Sequence, residues 1–358
     1  MRIKIKSKLA LSLSLALITP VMADDVLLAE QRLLAGLQAM NSLSLDQALS
    51  NFEQLSEQHP TYKLANLVKA DLLALKAGQS DILTQYRKSH ASDIDKLEDE
   101  ARVRWQFAQG ALTQNSGLDH FILKSGVQKY VVIVNLHESR LYLFGRNAQN
   151  KMEQLADYYI AIGTKGAGKL REGDQKTPIG VYHVVDMIAD DKLPDLYGVG
   201  ALPLNYPNKW DKSLGRTGSG IWLHGVPRDT YARPPKSSRG CVVLTNNAME
   251  KLLTDYQLPL STPIIIANES QDDVSLNMDG KYLVKEVKAW LEDNQQNVDW
   301  QQVSVYQYPS EKNLYYVTYP AADKDKMVHQ FWRRGLEGDW RVVLQDVEHT
   351  EIKYVFRR

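Results

Sequence analysis

The chain has 358 residues, with Lys plus Arg and Asp plus Glu balanced at 43 each. That length exceeds one ordinary domain, so two or three domains are expected. The balanced charge, with neither half conspicuously basic, argues against nucleic acid and anionic membrane as partners.

In chain order, a basic run (Arg2, Lys4, Lys6, Lys8) comes first, followed by an apolar stretch from Leu9 to Ile18 and the small-residue site Val21-Met22-Ala23. These are the three regions of a secretory signal peptide, so residues 1–23 are expected to be removed near Ala23 and the rest to work in the periplasm. The apolar stretch is shorter than the roughly 20 residues that a membrane span needs.

Residues 24–117 read as a helical N-terminal domain. Leu45, Leu49, Phe52 and Leu55 recur at helical spacing, as do Leu64, Val68, Leu72 and Leu75, and His59-Pro60 breaks the two runs. The pair resembles one tetratricopeptide unit without a second copy. A packing domain, or a surface for homodimerisation, is therefore expected ahead of a peptide-binding array.

At Tyr130 the period changes. Val131 to Val134 and Leu141 to Phe144 are β-rich runs joined as a hairpin through His137-Glu138-Ser139-Arg140. Strand signals continue at Tyr158 to Ile162, Val181 to Val185, Ile221 to Leu223, Val242 to Leu244 and Ile264 to Ala267, with a helix near Asn247 to Tyr256. Residues 127–268 are thus expected to form a mostly-β domain, and the polar stretch at 268–273 to end it. Beyond it, Leu283, Val287 and Trp290 mark a helix face, followed by strands rich in aromatics. A small α+β domain over 275–358 is expected, and the turn from Trp332 to Trp340 makes it similar to the nuclear-transport-factor-2-like fold. Its aromatics (Tyr306, Tyr308, Tyr315, Tyr319, Trp332, Trp340) suggest a concave pocket for glycan or a partner, although such residues more often build a core.

Cys241 is the single cysteine. Exported proteins usually keep cysteines paired, so a lone thiol calls for a chemical or burial role. It lies in Ser237-Ser238-Arg239-Gly240-Cys241, downstream of Ile221-Trp222-Leu223-His224-Gly225. An imidazole beside a thiol can take its proton and later return it to a leaving amine. The Gly225 carbonyl is placed to fix the tautomer of His224, while N–H groups of Gly240 and Cys241 are candidates for holding an oxyanion. No metal site is expected, because the other histidines are scattered along the chain without zinc-ligand spacing. No cofactor is expected either, since Gly163 to Gly168 lacks a strand–loop–helix context.

Together the His224-Gly225 step, the Ser238-Arg239-Gly240-Cys241 turn, the Thr177-Pro178-Ile179-Gly180 segment and the opening hairpin resemble the L,D-transpeptidase (YkuD-type) catalytic domain. That resemblance implies a β-sandwich-like fold with Cys241 as nucleophile, His224 as base and a peptidoglycan stem peptide as partner. The expected reaction is thioester formation at the L-centre of the third stem residue, diaminopimelate, with release of D-alanine. Transfer to water would make an L,D-carboxypeptidase; transfer to an amine would make an L,D-transpeptidase. Ser238 and Arg239 are expected to contact the substrate. Arg239 stands where the family's motif has a second His, and Val243 where it has Arg, so the reading leans to water. The three-part layout is also similar to cell-shape L,D-carboxypeptidases. Release of a wall-bound lipoprotein from diaminopimelate, and a non-catalytic wall-binding scaffold, stand as alternatives. A papain-like protease fits poorly, because papain-type chains place Cys before His.

Overall fold

The computed structural model describes residues 25–111, 117–126, 128–270, 278–294, 298–311, 313–322, 325–335 and 337–349. The expected signal peptide and part of the expected boundary at 268–273 lie outside these residues. No helix among the described residues is long and apolar enough to cross a membrane.

Four helices open the fold: α1 (Asp25–Asn41), α2 (Leu45–Gln58), α3 (Lys63–Lys76) and α4 (Ser80–Ala111), the last interrupted by non-helical torsions at His90. Leu49, Phe52 and Leu55 of α2 and Leu64, Val68 and Leu72 of α3 are buried, as a helical stripe requires. Leu75 continues the stripe in sequence but is 50% exposed, because it stands in the last turn of α3. The helical core extends onto Tyr231 and Ala232 of the following domain. Charge reinforces that junction. Arg104, 2% exposed, pairs with Glu30 and with Glu100 at 3.0 Å, and its guanidinium lies 3.6 Å from the ring centre of Tyr159. Arg140 also reaches Glu30, at 3.3 Å.

After β1 (Ile122–Lys124), the catalytic region begins with β2 (Tyr130–Asn135), β3 (Arg140–Arg146), β4 (Met152–Tyr159), β5 (Ile162–Gly163) and β6 (Gly180–His183). It continues through β7 (Ile188–Ala189), β8 (Gly200–Pro203), helix α5 (Lys209–Ser213), β9 (Trp222–His224), β10 (Lys236–Ser238) and β11 (Val242–Val243). Helix α6 (Asn246–Glu250), prolonged by a wider turn through Asp255, leads to β12 (Pro263–Ala267). One sheet has the order β4-β3-β2-β12-β6, a second β11-β9-β8-β7, and β10 pairs with β5. The hairpin is antiparallel with Val132 opposite Leu143, while β12 runs parallel to β2. Val132, Val134, Leu141 and Leu143 of the first sheet share a core with Leu202, Leu223 and Val242 of the second. The second sheet is thereby fixed against a rigid, fully buried support.

The last region has α7 (Met278–Asp293) and strands β13 (Ser304–Gln307), β14 (Leu314–Pro320), β15 (Lys326–Arg334) and β16 (Trp340–His349). They form an antiparallel sheet of order β1-β13-β14-β15-β16, so the short strand before the catalytic domain belongs to the sheet after it. The fold is therefore a helical N-terminal region, a mostly-β catalytic region and an α+β C-terminal region, as the sequence leads one to expect. The aromatic pocket is a correction. Tyr306, Tyr308, Tyr315, Tyr319 and Trp332 are each at most 2% exposed. Tyr306, Tyr308 and Phe331 pack on catalytic-domain residues such as Ile133, Val181 and Ile265. Tyr315, Tyr319 and Trp332 face the other way, onto Leu283, Val287 and Leu291 of α7. β13, β14 and β15 are aromatic because they are covered on both faces, by the catalytic-domain residues and by α7.

Candidate functional site

His224 ends β9, and Cys241 immediately precedes β11, the strand paired with it. β11 runs parallel to β9 with Val242 opposite Leu223 and Val243 opposite His224. Cys241 follows the turn at Arg239-Gly240 and leads directly into Val242.

The thiol is partly exposed. It donates to the Gly220 carbonyl at 3.3 Å and receives the Trp222 amide. Burial pushes its pKa up, opposed by that amide and by the charges of Arg233 and Lys169. His224 is buried, and its Nδ1 lies 2.6 Å from the Gly225 carbonyl oxygen. Burial pulls its pKa down to about 4; the Gly225 bond opposes this and Arg233 adds to it. The ring of Tyr197 packs edge-on against it with centres 5.0 Å apart.

The turn before Cys241 is held from within. Ser238 Oγ donates to the Cys241 carbonyl at 2.7 Å and accepts the Gly240 N–H at 3.0 Å. Ser238, expected to contact the substrate, is buried, and its hydroxyl is engaged within the turn. The Gly240 N–H is already spent on Ser238, so of the two expected oxyanion donors only the Cys241 N–H lacks a partner among the described residues. Gly240 has φ of 129°, and a Cβ there would come within 2.7 Å of the Lys176 carbonyl, so glycine lets the turn sit on the Thr177-Pro178 segment. Arg239 is exposed and has no ion pair among the described residues.

Sequence reasoning missed several neighbours. Lys169, 4% exposed, pairs with Asp174 at 2.9 Å. Arg233 donates to the Ser237 carbonyl at 2.5 Å. Asn246 Oδ1 accepts the N–H groups of Val226 at 3.1 Å and Val199 at 3.3 Å, and a Cβ at Gly225 would fall 2.2 Å from it. No motif flags these residues, since Lys169 and Arg233 lie on separate loops and Asn246 opens α6. A groove of about 990 Å³ runs between the helical region and the loop before the nucleophile, with Asn66, Asp71 and Tyr86 on one wall and Arg233, Lys236 and Ser237 on the other.

The Cys241 thiol, just before β11, and the His224 imidazole, at the end of β9, are thus carried by neighbouring segments of one sheet. Residues 129–266 match the family model of the L,D-transpeptidase catalytic domain, YkuD. Solved structures similar to the chain include Bd1075 of Bdellovibrio bacteriovorus, at 23% identity over 64% of this chain and 98% of that one, TM-score 0.47. The helical cell shape determining protein Pgp2 of Campylobacter jejuni is similar at 19% identity over 62% and 96%, TM-score 0.43. An L,D-transpeptidase of Xylanimonas cellulosilytica is similar at 17% identity over 40% and 61%, TM-score 0.26. No curated protein matches the sequence.

Proposed function

We propose that this protein is an exported periplasmic enzyme that forms a thioester between Cys241 and the third residue of a peptidoglycan stem, and then passes the acyl group to water. The observation that supports the reading is that Cys241 immediately precedes β11, the strand paired with β9 where His224 stands, inside the segment that matches the L,D-transpeptidase domain. With Nδ1 protonated by its bond to Gly225, His224 presents Nε2 as the basic nitrogen. Nε2 takes the thiol proton as sulfur attacks the carbonyl carbon, and the oxyanion is held by the Cys241 N–H. The C–N bond then breaks, and the proton passes to the departing D-alanine amine. Water, deprotonated by the same Nε2, attacks the thioester; the tripeptide leaves and the thiol is restored.

One feature supports water over an amine. Val243, where the family's motif carries Arg, is 2% exposed and packs with Ala161 and Val226, so it offers no group to an acceptor's carboxylate. Arg239 is exposed and unengaged among the described residues, and is assigned to the carboxylate of the donor stem. The test is incubation of the purified chain with a tetrapeptide muropeptide and separation of the products by mass. Tripeptide is the expected main product. An unchanged substrate pool would refute the acyl-enzyme reading altogether.

A further inference from the structure

Away from Cys241, three side chains that are far apart in sequence converge. His183 closes β6 at the edge of the catalytic sheet, while His329 and Glu348 stand on β15 and β16 of the C-terminal sheet. The two imidazole rings stack with centres 5.3 Å apart and planes 9° from parallel. One oxygen, Glu348 Oε2, lies 3.1 Å from His183 Nε2 and 3.9 Å from His329 Nε2. The second distance is beyond hydrogen-bond reach, so the carboxylate satisfies one ring and leaves the other short of a partner on that side.

The outer atoms show which nitrogen is available. His329 Nδ1 lies 2.5 Å from Tyr316 Oη and 3.1 Å from Thr318 Oγ1. Either hydroxyl can accept its proton, which leaves the lone pair on Nε2, aimed at the carboxylate. An imidazole oriented by a bond at its far nitrogen is the usual arrangement of a metal-ligating histidine. His183 and His329 are 8% and 7% exposed, and His183 Nδ1 is a buried polar atom without a partner among the described residues. Hydrogen bonding within the protein therefore leaves this group incompletely satisfied, in a place where polar groups are normally paired.

We propose that His183, His329 and Glu348 form a divalent transition-metal site, with zinc as the expected ion, that clasps the C-terminal sheet to the edge of the catalytic sheet. Two imidazole nitrogens and one carboxylate oxygen are a donor set that suits zinc. The ligand atoms lie within 4.8 Å of one another. Zinc bonds of about 2.0–2.2 Å in tetrahedral geometry require separations of about 3.3–3.5 Å, so binding draws the atoms in by roughly an ångström. Glu348 Oε2 already stands close to both nitrogens, so the adjustment falls on the two imidazoles, while the open side of Glu348, 40% exposed, admits a water as the fourth ligand. Lys212, whose charge also acts on Glu348, is exposed and yields to a divalent ion. The histidines that look scattered in sequence meet because the two sheets pack together. The site is independent of the reaction assigned to Cys241.

The test uses the full chain carrying Cys241→Ala, so that the thiol does not compete for metal, after chelator treatment. Titration with Co²⁺ is expected to give one equivalent with visible d–d bands, displaced by Zn²⁺, and Zn²⁺ is expected to raise Tm. His183→Gln and Glu348→Gln should each weaken binding at least tenfold. Removing both orienting hydroxyls, Tyr316→Phe with Thr318→Val, should weaken it about 10- to 100-fold while every ligand remains. Absence of a Co²⁺ spectrum in the Cys241→Ala protein overturns the site without recourse to the ligand variants. A spectrum and affinity unchanged by all these substitutions overturn it as well.

Discussion

The Nδ1 of His224 and the carbonyl of its own neighbour, Gly225, are joined by a 2.6 Å hydrogen bond. A carbonyl oxygen only accepts, so Nδ1 carries the proton and Nε2 is left basic. Burial holds the ring neutral, with a pKa near 4, and pushes the Cys241 thiol above its ordinary range. The resting pair is thus thiol and imidazole, and the thiolate forms during attack.

A pH dependence follows from that state. Iodoacetamide labelling of Cys241 should rise along one curve whose midpoint lies above the ordinary thiol pKa of about 8.5, with no plateau near pH 5 to 7. A plateau there would reveal a thiolate–imidazolium pair and contradict the neutral state. Stability should respond in the same direction. The folded pKa of His224 is depressed from 6.5 to about 4, so below 6.5 the unfolded chain binds the extra proton and folding weakens as pH falls toward 4. His224→Gln should flatten that acid limb of Tm against pH.

Replacing the nucleophile should separate chemistry from folding. Cys241 packs only partly against the small cluster of Ala161, Val226 and Val243. Cys241→Ala is expected to abolish tripeptide release, with a stability change within about 1 kcal/mol because few contacts are lost. Thermal unfolding and muropeptide turnover on the same preparation check both parts; residual turnover at the unmodified rate would remove Cys241 from the mechanism.

Asn246 offers a test of positioning. Its Oδ1 holds the amides of Val199 and Val226, on either side of the loops that carry Tyr197 and Gly225. Asn246→Ala leaves those donors unpaired at a cost of about 1–3 kcal/mol. Because Gly225 sets the His224 tautomer, kcat should fall more than KM rises, whereas Asn246→Asp keeps an accepting oxygen and should recover most of kcat. Equal loss in both variants would reduce Asn246 to a stabilising role.

Some of this was legible from residue order alone and some was not. The helical stripes of α2 and α3 and the continuous β-rich runs of β2 and β3 are local patterns, and they appear where the sequence puts them. β1 was unreadable, because Ile122 pairs with Tyr306, a partner that no local window contains. The same holds for His183 and His329, which are brought together only by the packing of two sheets. Cys241, His224 and Gly225 stand out by type and by their glycine neighbours. Arg233 and Lys169 do not, since a cation that acts on a thiol from another loop resembles any surface charge. Tyr306 and Tyr315 misled in another way: strand aromatics look like a binding face until both faces of their sheet are seen to be covered.

The acceptor is decided by what stands around the thioester. Water needs no binding site, whereas an amine must be held within about 3–3.5 Å of the acyl carbon and delivered uncharged. Val243→Arg looks like the direct way to restore an acceptor group, but Val243 is buried beside Ala161 and Val226, and a guanidinium there would lack a partner. That variant should unfold or rearrange, because an unpaired buried charge costs several kcal/mol. Arg239 is the cleaner probe. It is exposed, so Arg239→Ala should leave Tm nearly unchanged, within about 0.5 kcal/mol of stability. Loss of a charge-assisted bond to the donor carboxylate, worth about 1.5–3 kcal/mol, should raise KM for tetrapeptide roughly 10- to 100-fold. Tripeptide should remain the main product, because the change touches the donor and not the acceptor. Should the unmodified protein yield mainly 3→3 crosslinked dimers from tetrapeptides, the hydrolytic assignment fails and amine transfer takes its place.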